Sequence, residues 1–179
     1  VVPSNHDNFL SRWVVGTDWR QAPSNAAFYL ETAAAMLKTA RITASGATYA
    51  DPFKYWVDKL KGDAAITCLA VDESSKVAGI ECGLHGDRGP NGARGSLKNL
   101  SRLGAKVISG HSHTPGIENG HYQTGTSTPL RLEYTIGPSS GLTTHCVGYA
   151  NGKRSLITVI DGAWHVPLPH PQRTSKAKP

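Results

Sequence analysis

The stretch Gly110-His111-Ser112-His113-Thr114-Pro115 constrains this chain more than any other, because it fixes both a turn and the chemistry carried at its tip. It follows Ala105-Lys106-Val107-Ile108, a short apolar run that reads as a buried strand ending where the turn begins. Gly110 lets the backbone approach a neighbour closely, and two imidazoles at i and i+2 on a strand end can reach one metal ion or two adjacent ones. The turn has company: Asn5-His6-Asp7 opens the chain, and His85 sits within Gly83-Leu84-His85-Gly86-Asp87.

At 179 residues, 39% hydrophobic and 18% charged, the chain is long enough to bury one core and reads as globular rather than disordered. One domain is expected over 1–166, followed by a basic, Pro-rich tail over 167–179. No apolar run approaches the roughly 20 residues that span a bilayer, so no membrane partner is expected. The opening Val1-Val2-Pro3 lacks the charged and apolar segments of a secretory leader and reads as the tail of a strand whose beginning lies upstream. Cys68, Cys82 and Cys146 are odd in number and show no paired spacing, which points to buried free thiols in a reducing, cytoplasmic compartment.

Net charge is +6, with a sequence pI near 9.3, and its distribution says more than its size. From Arg88 to Ile117 the chain carries Arg88, Arg94, Lys98, Arg102 and Lys106 and no acidic residue. Ser96 to Leu103 reads as a helix: Leu97, Leu100 and Leu103 share a side, Ser96 can cap the start and Gly104 can end it. Lys98 and Arg102 then share a face, with Arg94 leading into the same line. Such a stripe can contact phosphates, and it can equally be a solvated helix face.

Elsewhere a helix is expected from about Asn25 to Thr39, and a second from Asp51-Pro52 to near Gly62. Ile66 to Val71 and Val77 to Glu81 read as strands. His145 to Ala150 and Ser155 to Ile160 flank Asn151-Gly152, a hairpin signal. Trp13, Trp19, Tyr49, Tyr55 and Trp56 read as core, with base stacking as the alternative. Helices alternating with strands, then late hairpins, predict a layered α/β fold with mixed sheets flanked by helices.

The separated segments each place a metal-competent group beside a strand end. Asn5 offers an amide oxygen, while His85, His111 and His113 offer imidazole nitrogens, a set suited to Mn, Fe or Zn rather than to Ca or Mg. Taken singly, each histidine reads as an ordinary surface or core residue. In combination and in this order they read as a site.

That combination resembles the calcineurin-like metallophosphoesterases. Ser4-Asn5-His6-Asp7 is similar to the family's Gly-Asn-His-Asp/Glu motif with Ser for Gly, His85 to its lone His beside Gly, and Gly110-His111-Ser112-His113 to its Gly-His-x-His. Asn119-Gly120-His121-Tyr122 and Gly125-Thr126-Ser127 resemble the strand and turn that follow that last motif. The resemblance implies the C-terminal portion of a metallophosphoesterase sandwich with a centre of two divalent metal ions, Mn first and Fe or Zn next. Asn5, His85 and His111 would bind one ion and His113 the other. His6 would act at the scissile phosphate, with Asp7 orienting it. The dinuclear centre would activate water for in-line attack on phosphorus.

The sequence departs from the family in lacking Asp-x-His and Gly-Asp-x-x-Asp. These are expected on an upstream segment of the same protein. Arg88, Arg94, Lys98 and Arg102 tilt the expected substrate toward nucleic acid, as for a phosphodiesterase or nuclease acting on DNA, with a phage-type enzyme as one candidate. The alternatives are a phosphomonoesterase or protein phosphatase, and an inactive binding or structural module with an incomplete metal site.

Overall fold

A computed structural model of the chain describes residues 1–131 and 136–165, so the boundary at 166 and the tail expected over 167–179 lie outside the described residues. The chain is a mixed α/β protein that divides into two compact units, Val1–Glu73 and a second beginning at Ser74. Among the described residues no helix is long and apolar enough to cross a membrane.

The first unit is built on three helices, α1 (Asn8–Gly16), α2 (Ala26–Lys38) and α3 (Pro52–Leu60), with a small hairpin of β1 (Arg41–Thr43) and β2 (Gly46–Thr48) between the last two. The α3 start is as the sequence indicates: the Asp51 carboxylate accepts from the Phe53 amide at 2.9 Å, and Pro52 holds the first helical position. Aromatic rings tie the helices together. Phe28 on α2 stacks on Trp56 of α3 at 4.7 Å and on Trp13 of α1 at 6.1 Å, and the Trp56 indole donates to the buried Thr32 hydroxyl at 2.9 Å. Trp13, Trp56 and Tyr55 are thus packing residues, whereas Tyr49 is 43% exposed and Trp19 lies under the Arg20 guanidinium.

Neither Val1-Val2-Pro3 nor Ile66 to Val71 is a regular strand. The two segments do touch in strand fashion, because the Val1 amine donates to the Thr67 carbonyl and the Leu69 amide donates to the Val1 carbonyl. The pairing then stops, for the Glu73 carboxylate accepts from the Ala70 amide and closes a turn.

The second unit contains a mixed five-stranded sheet in the order β3-β4-β5-β7-β6, formed by β3 (Lys76–Val77), β4 (Ile80–Glu81), β5 (Val107–Ser109), β6 (Gly116–Glu118) and β7 (His121–Gln123). The run Val77 to Glu81, expected as one strand, is a hairpin corner: Ala78 and Gly79 both take positive φ, so β3 and β4 pair antiparallel across them. β4, β5 and β7 run parallel, which sends their C-terminal ends to one edge.

α4 (Leu97–Ser101) is shorter than expected. Ser96 caps it by accepting from the Asn99 amide, and Arg102 already belongs to its C-cap. A second, antiparallel sheet, β8 (Thr143–Gly148), β9 (Arg154–Ile160) and β10 (Ala163–His165), meets the first. The β8–β9 hairpin forms where Asn151-Gly152 indicates, with a five-residue loop closed by the Tyr149 amide on the Lys153 carbonyl at 2.9 Å.

Ile80, Leu100 and Val107 are buried and contribute roughly 1.5–3 kcal/mol each. Between the two sheets Ile80, Cys82, Ile108, Cys146 and Gly148 line a cavity of about 340 Å³. Cys68, Cys82 and Cys146 are free and half-buried rather than fully buried as expected, and burial pushes the Cys82 and Cys146 thiols up from the ordinary value.

Arg154 joins the sheets. Its Nη1 donates to the Val107 carbonyl at 3.0 Å and the Gly120 carbonyl at 2.5 Å, while its guanidinium lies 4.3 Å from the centre of the Tyr122 ring. Arg154→Ala leaves both carbonyls without this partner and removes the stacking. We expect it to cost about 2–4 kcal/mol in denaturant unfolding, with Arg154→Lys recovering only part because it lacks the planar fork.

Candidate functional site

The parallel strands place the candidate residues. His85 follows β4 and the double-histidine turn follows β5, so both leave the same edge of the sheet. A backbone bond from the Gly110 amide to the His85 carbonyl, at 2.9 Å, stitches the two loops together. Contact is so close that side chains are excluded. A Cβ on Gly86 would lie 2.8 Å from the Gly110 carbonyl oxygen, and one on Gly95 would lie 1.8 Å from the Gly86 carbonyl oxygen.

In this frame His85 Nε2 and His111 Nδ1 stand 3.2 Å apart, with their rings 5.0 Å between centroids and inclined at 75°. At this separation one nitrogen donates and the other accepts, the roles being set by the tautomers of the two rings. A shift of the donor ring to its other tautomer turns both lone pairs toward the space between the rings. Among the described residues no group of three or more His, Cys, Asp or Glu converges as a complete metal-holding cluster.

His111 and His113 both adopt left-handed backbone, with φ of 73° and 60°. For residues with a Cβ this conformation costs of order 1–2 kcal/mol each. The Leu142 amide donates to the His113 carbonyl at 3.1 Å, and the Ser112 amide donates to the Gly110 carbonyl at 3.0 Å. From β7, the Gln123 side chain reaches the same turn. Sequence reasoning passed over Gln123, since a polar residue in a short strand looks solvent-facing until its neighbour strand is known.

Two further residues, which the sequence places only on expected strands, take roles that depend on distant partners. His121 on β7 is fully buried, its Nδ1–H donating to the Leu97 carbonyl at 3.0 Å and its Nε2 accepting from the Ser109 hydroxyl at 2.8 Å. Burial pushes its imidazole down from the ordinary value, so it stays neutral and ties α4 to β5. Glu81 accepts from the Ser74 hydroxyl, the Ser75 amide at 3.0 Å and the Gly83 amide at 2.8 Å, fixing the path toward His85. Burial alone would raise this carboxyl, but the Ser74, Gly83 and Ser75 hydrogen bonds outweigh it and hold Glu81 below the usual range.

Asn5, His6 and Asp7 belong to the first unit, in the turn that precedes α1. The Asp7 carboxylate accepts from the Ser4 amide at 2.7 Å, the His6 carbonyl accepts from the Phe9 amide at 2.9 Å, and the exposed His6 ring stacks on Phe9 at 5.1 Å. The basic residues lie downstream of His85. Arg88 and Arg94 pair across the loop that Gly86 and Gly95 close, with Lys98 on α4 and Arg102 at its end, and all four are exposed. Arg88 also meets the Asp87 carboxylate at 3.8 Å.

Fold and site together define a mixed α/β protein with converging histidines at the edge of parallel strands. No family model matches the chain, and no solved structure matches it. The chain is similar to Protein A1 of Escherichia phage T5, with 39% identity over 165 residues covering 90% of this chain. The matched region spans 29% of the length of that relative.

Two outcomes follow for the scaffold of the site. Glu81→Gln weakens three hydrogen bonds and is expected to cost about 1–3 kcal/mol near neutral pH. Because the folded carboxyl titrates below its unfolded value, its stabilisation is complete above the unfolded pKa and disappears as pH falls through the folded one. Thermal unfolding from about pH 7 down to about pH 3 should therefore show the wild-type and variant curves converging in acid.

Proposed function

We propose that this chain carries the histidine face of a calcineurin-like metallophosphoesterase, a metal-dependent phosphodiesterase or nuclease acting on DNA. The single observation that carries the reading is the meeting of His85 Nε2 and His111 Nδ1 at 3.2 Å, beside a turn that also bears His113. Paired imidazole nitrogens of this kind suit a divalent transition ion, Mn first and Fe or Zn next. In this reading His85 and His111 hold one ion and His113 a second. When bound, such ions lower the pKa of water and offset charge on phosphoryl oxygens.

The chain's own residues supply position and electrostatics. The Gly110–His85 backbone bond and the glycine contacts keep the two imidazoles in register. The left-handed conformations of His111 and His113 present both side chains from one turn. The exposed Arg88, Arg94, Lys98 and Arg102 offer a polyanion a positive approach beside His85, which supports nucleic acid as substrate. The roles of Asn5, His6 and Asp7, and of a metal-ligating segment upstream, rest on the resemblance alone. So does the layered sandwich as the family fold.

The test is cleavage of plasmid and linear DNA by the full-length protein in Mn²⁺, compared with turnover of a chromogenic phosphomonoester. DNA cutting that falls about 100-fold or more in His111→Ala and in His85→Ala, with circular dichroism unchanged, is the expected result. Cutting that survives His111→Ala overturns the reading. Monoester turnover without DNA cutting selects the phosphatase alternative, and indifference to Mn²⁺ selects a binding module.

Salt separates the contribution of the basic stripe. Replacing Lys98 and Arg102 together by Ser is expected to weaken DNA binding at low ionic strength and to flatten its salt dependence by about one to two phosphate contacts, leaving monoester turnover unchanged. Fluorescence anisotropy with a labelled duplex from about 50 to 200 mM salt measures this.

A further inference from the structure

We propose that Gln123 is a positioning residue for the double-histidine turn, its buried amide holding the backbone from which His111 and His113 each meet a divalent cation. The proposal rests on the metal reading for its purpose, and on the geometry of Gln123 for its substance.

Gln123 is 4% exposed, at the end of β7. Its Nε2 donates to the Ser112 hydroxyl at 2.5 Å and to the Thr114 carbonyl at 2.7 Å. A carbonyl oxygen only accepts, so the Thr114 contact fixes which end of the amide faces the turn. Both N–H groups of the amide are spent on residues that flank His113, and Ser112 also lies between the two histidines. The Ser112 hydroxyl in turn donates to the Thr114 carbonyl at 3.2 Å and accepts from the Thr114 amide at 3.3 Å, closing a ring around the turn.

The base of this clamp is rigid. Ser109 and Gln123 face each other in the parallel β5–β7 register, so Gln123 stands level with the last residue before Gly110. The Thr124 amide and hydroxyl both donate to the Ser109 carbonyl, at 2.8 and 3.1 Å. A buried side-chain amide without partners costs of order 1–3 kcal/mol, and here its donors find partners in a turn whose two histidines sit in a costly conformation. Ordinary packing in this position needs only an apolar side chain. The amide adds orientation of the turn, as outer hydrogen bonds do for ligating imidazoles.

The experiment uses Gln123→Met, which keeps length and removes both donors, and Gln123→Glu, which sets an oxygen against the Thr114 carbonyl. Thr144→Val is the control, because it removes a different buried hydroxyl contact, with Thr158 at 3.0 Å, on β8. Two readouts are taken. In metal-free protein, the intraresidue amide–Hα cross-peaks of His111 and His113 are strong at positive φ and should weaken in both Gln123 variants. Calorimetric titration with Mn²⁺ should show affinity reduced about 10–100-fold in both, and little changed in Thr144→Val despite comparable loss of melting temperature.

Wild-type cross-peaks together with wild-type affinity in Gln123→Met overturn the proposal. An equal loss of affinity in Thr144→Val overturns it as well, since the effect would then follow stability alone. Wild-type protein that binds no Mn²⁺ contradicts the metal reading instead, while the cross-peaks still decide whether Gln123 holds the turn.

Discussion

The parallel pairing of β4, β5 and β7 is the constraint on which the rest of the second unit depends. Each strand is only two or three residues long, yet the parallel register makes all three deliver their following loops to the same edge. His85 arrives from the first loop, His111 and His113 from the second, and Gln123 ends the third strand. Strands this short hold poorly by ladder bonds alone. The buried Ile80 and Val107, the His121 bridge from α4 to β5 and the Arg154 link from β9 supply the additional hold. Backbones at the edge then approach until glycine is required, at Gly86 against Gly110 and at Gly95 against Gly86.

Strain and its restraint meet in the same few residues. Two histidines in left-handed backbone, separated by one serine, are unfavourable by a few kcal/mol taken together. The Leu142 amide, the Gln123 amide and the stitch between Gly110 and His85 oppose relaxation of the turn. Such restraint presents imidazoles without waiting for a ligand to organise them. In the second unit the polar groups are spent in this way: Glu81 fixes the approach to His85, and neutral His121 fixes the strand that carries the turn.

Much of this was legible along the chain, for reasons that are local. The apolar run before Gly110 gives β5, displaced by two residues at its start, with the Lys106 carbonyl and the Val107 amide making the first bonds, to Glu81 of β4 and to Gly120 just ahead of β7. Asp51-Pro52 gives the start of α3, and Ser96 gives the cap of α4. Asn151-Gly152 gives the β8–β9 hairpin. What escaped depended on partners distant in sequence. Ile66 to Val71 has the composition of a strand, but its pairing with Val1 ends after two bonds. Val77 to Glu81 is apolar enough for one strand, but Ala78-Gly79 reverses it. α1 carries Leu10, Trp13 and Val14 at helical spacing and was passed over, and the roles of Gln123 and Glu81 exist only once their strands and loops are assembled. Of the candidate residues, His85 and His111 meet, His113 shares the turn of His111, and the four basic residues stay in solvent.

The central claim is that these imidazoles form a face that takes a divalent ion. X-ray absorption at the Mn edge of the Mn²⁺-loaded protein tests it most directly, because imidazole rings leave a characteristic outer-shell scattering. The account predicts imidazole scattering from at least two rings, diminished in His85→Ala and again in His111→Ala. A first shell of oxygen atoms alone, unchanged by either substitution, would contradict it.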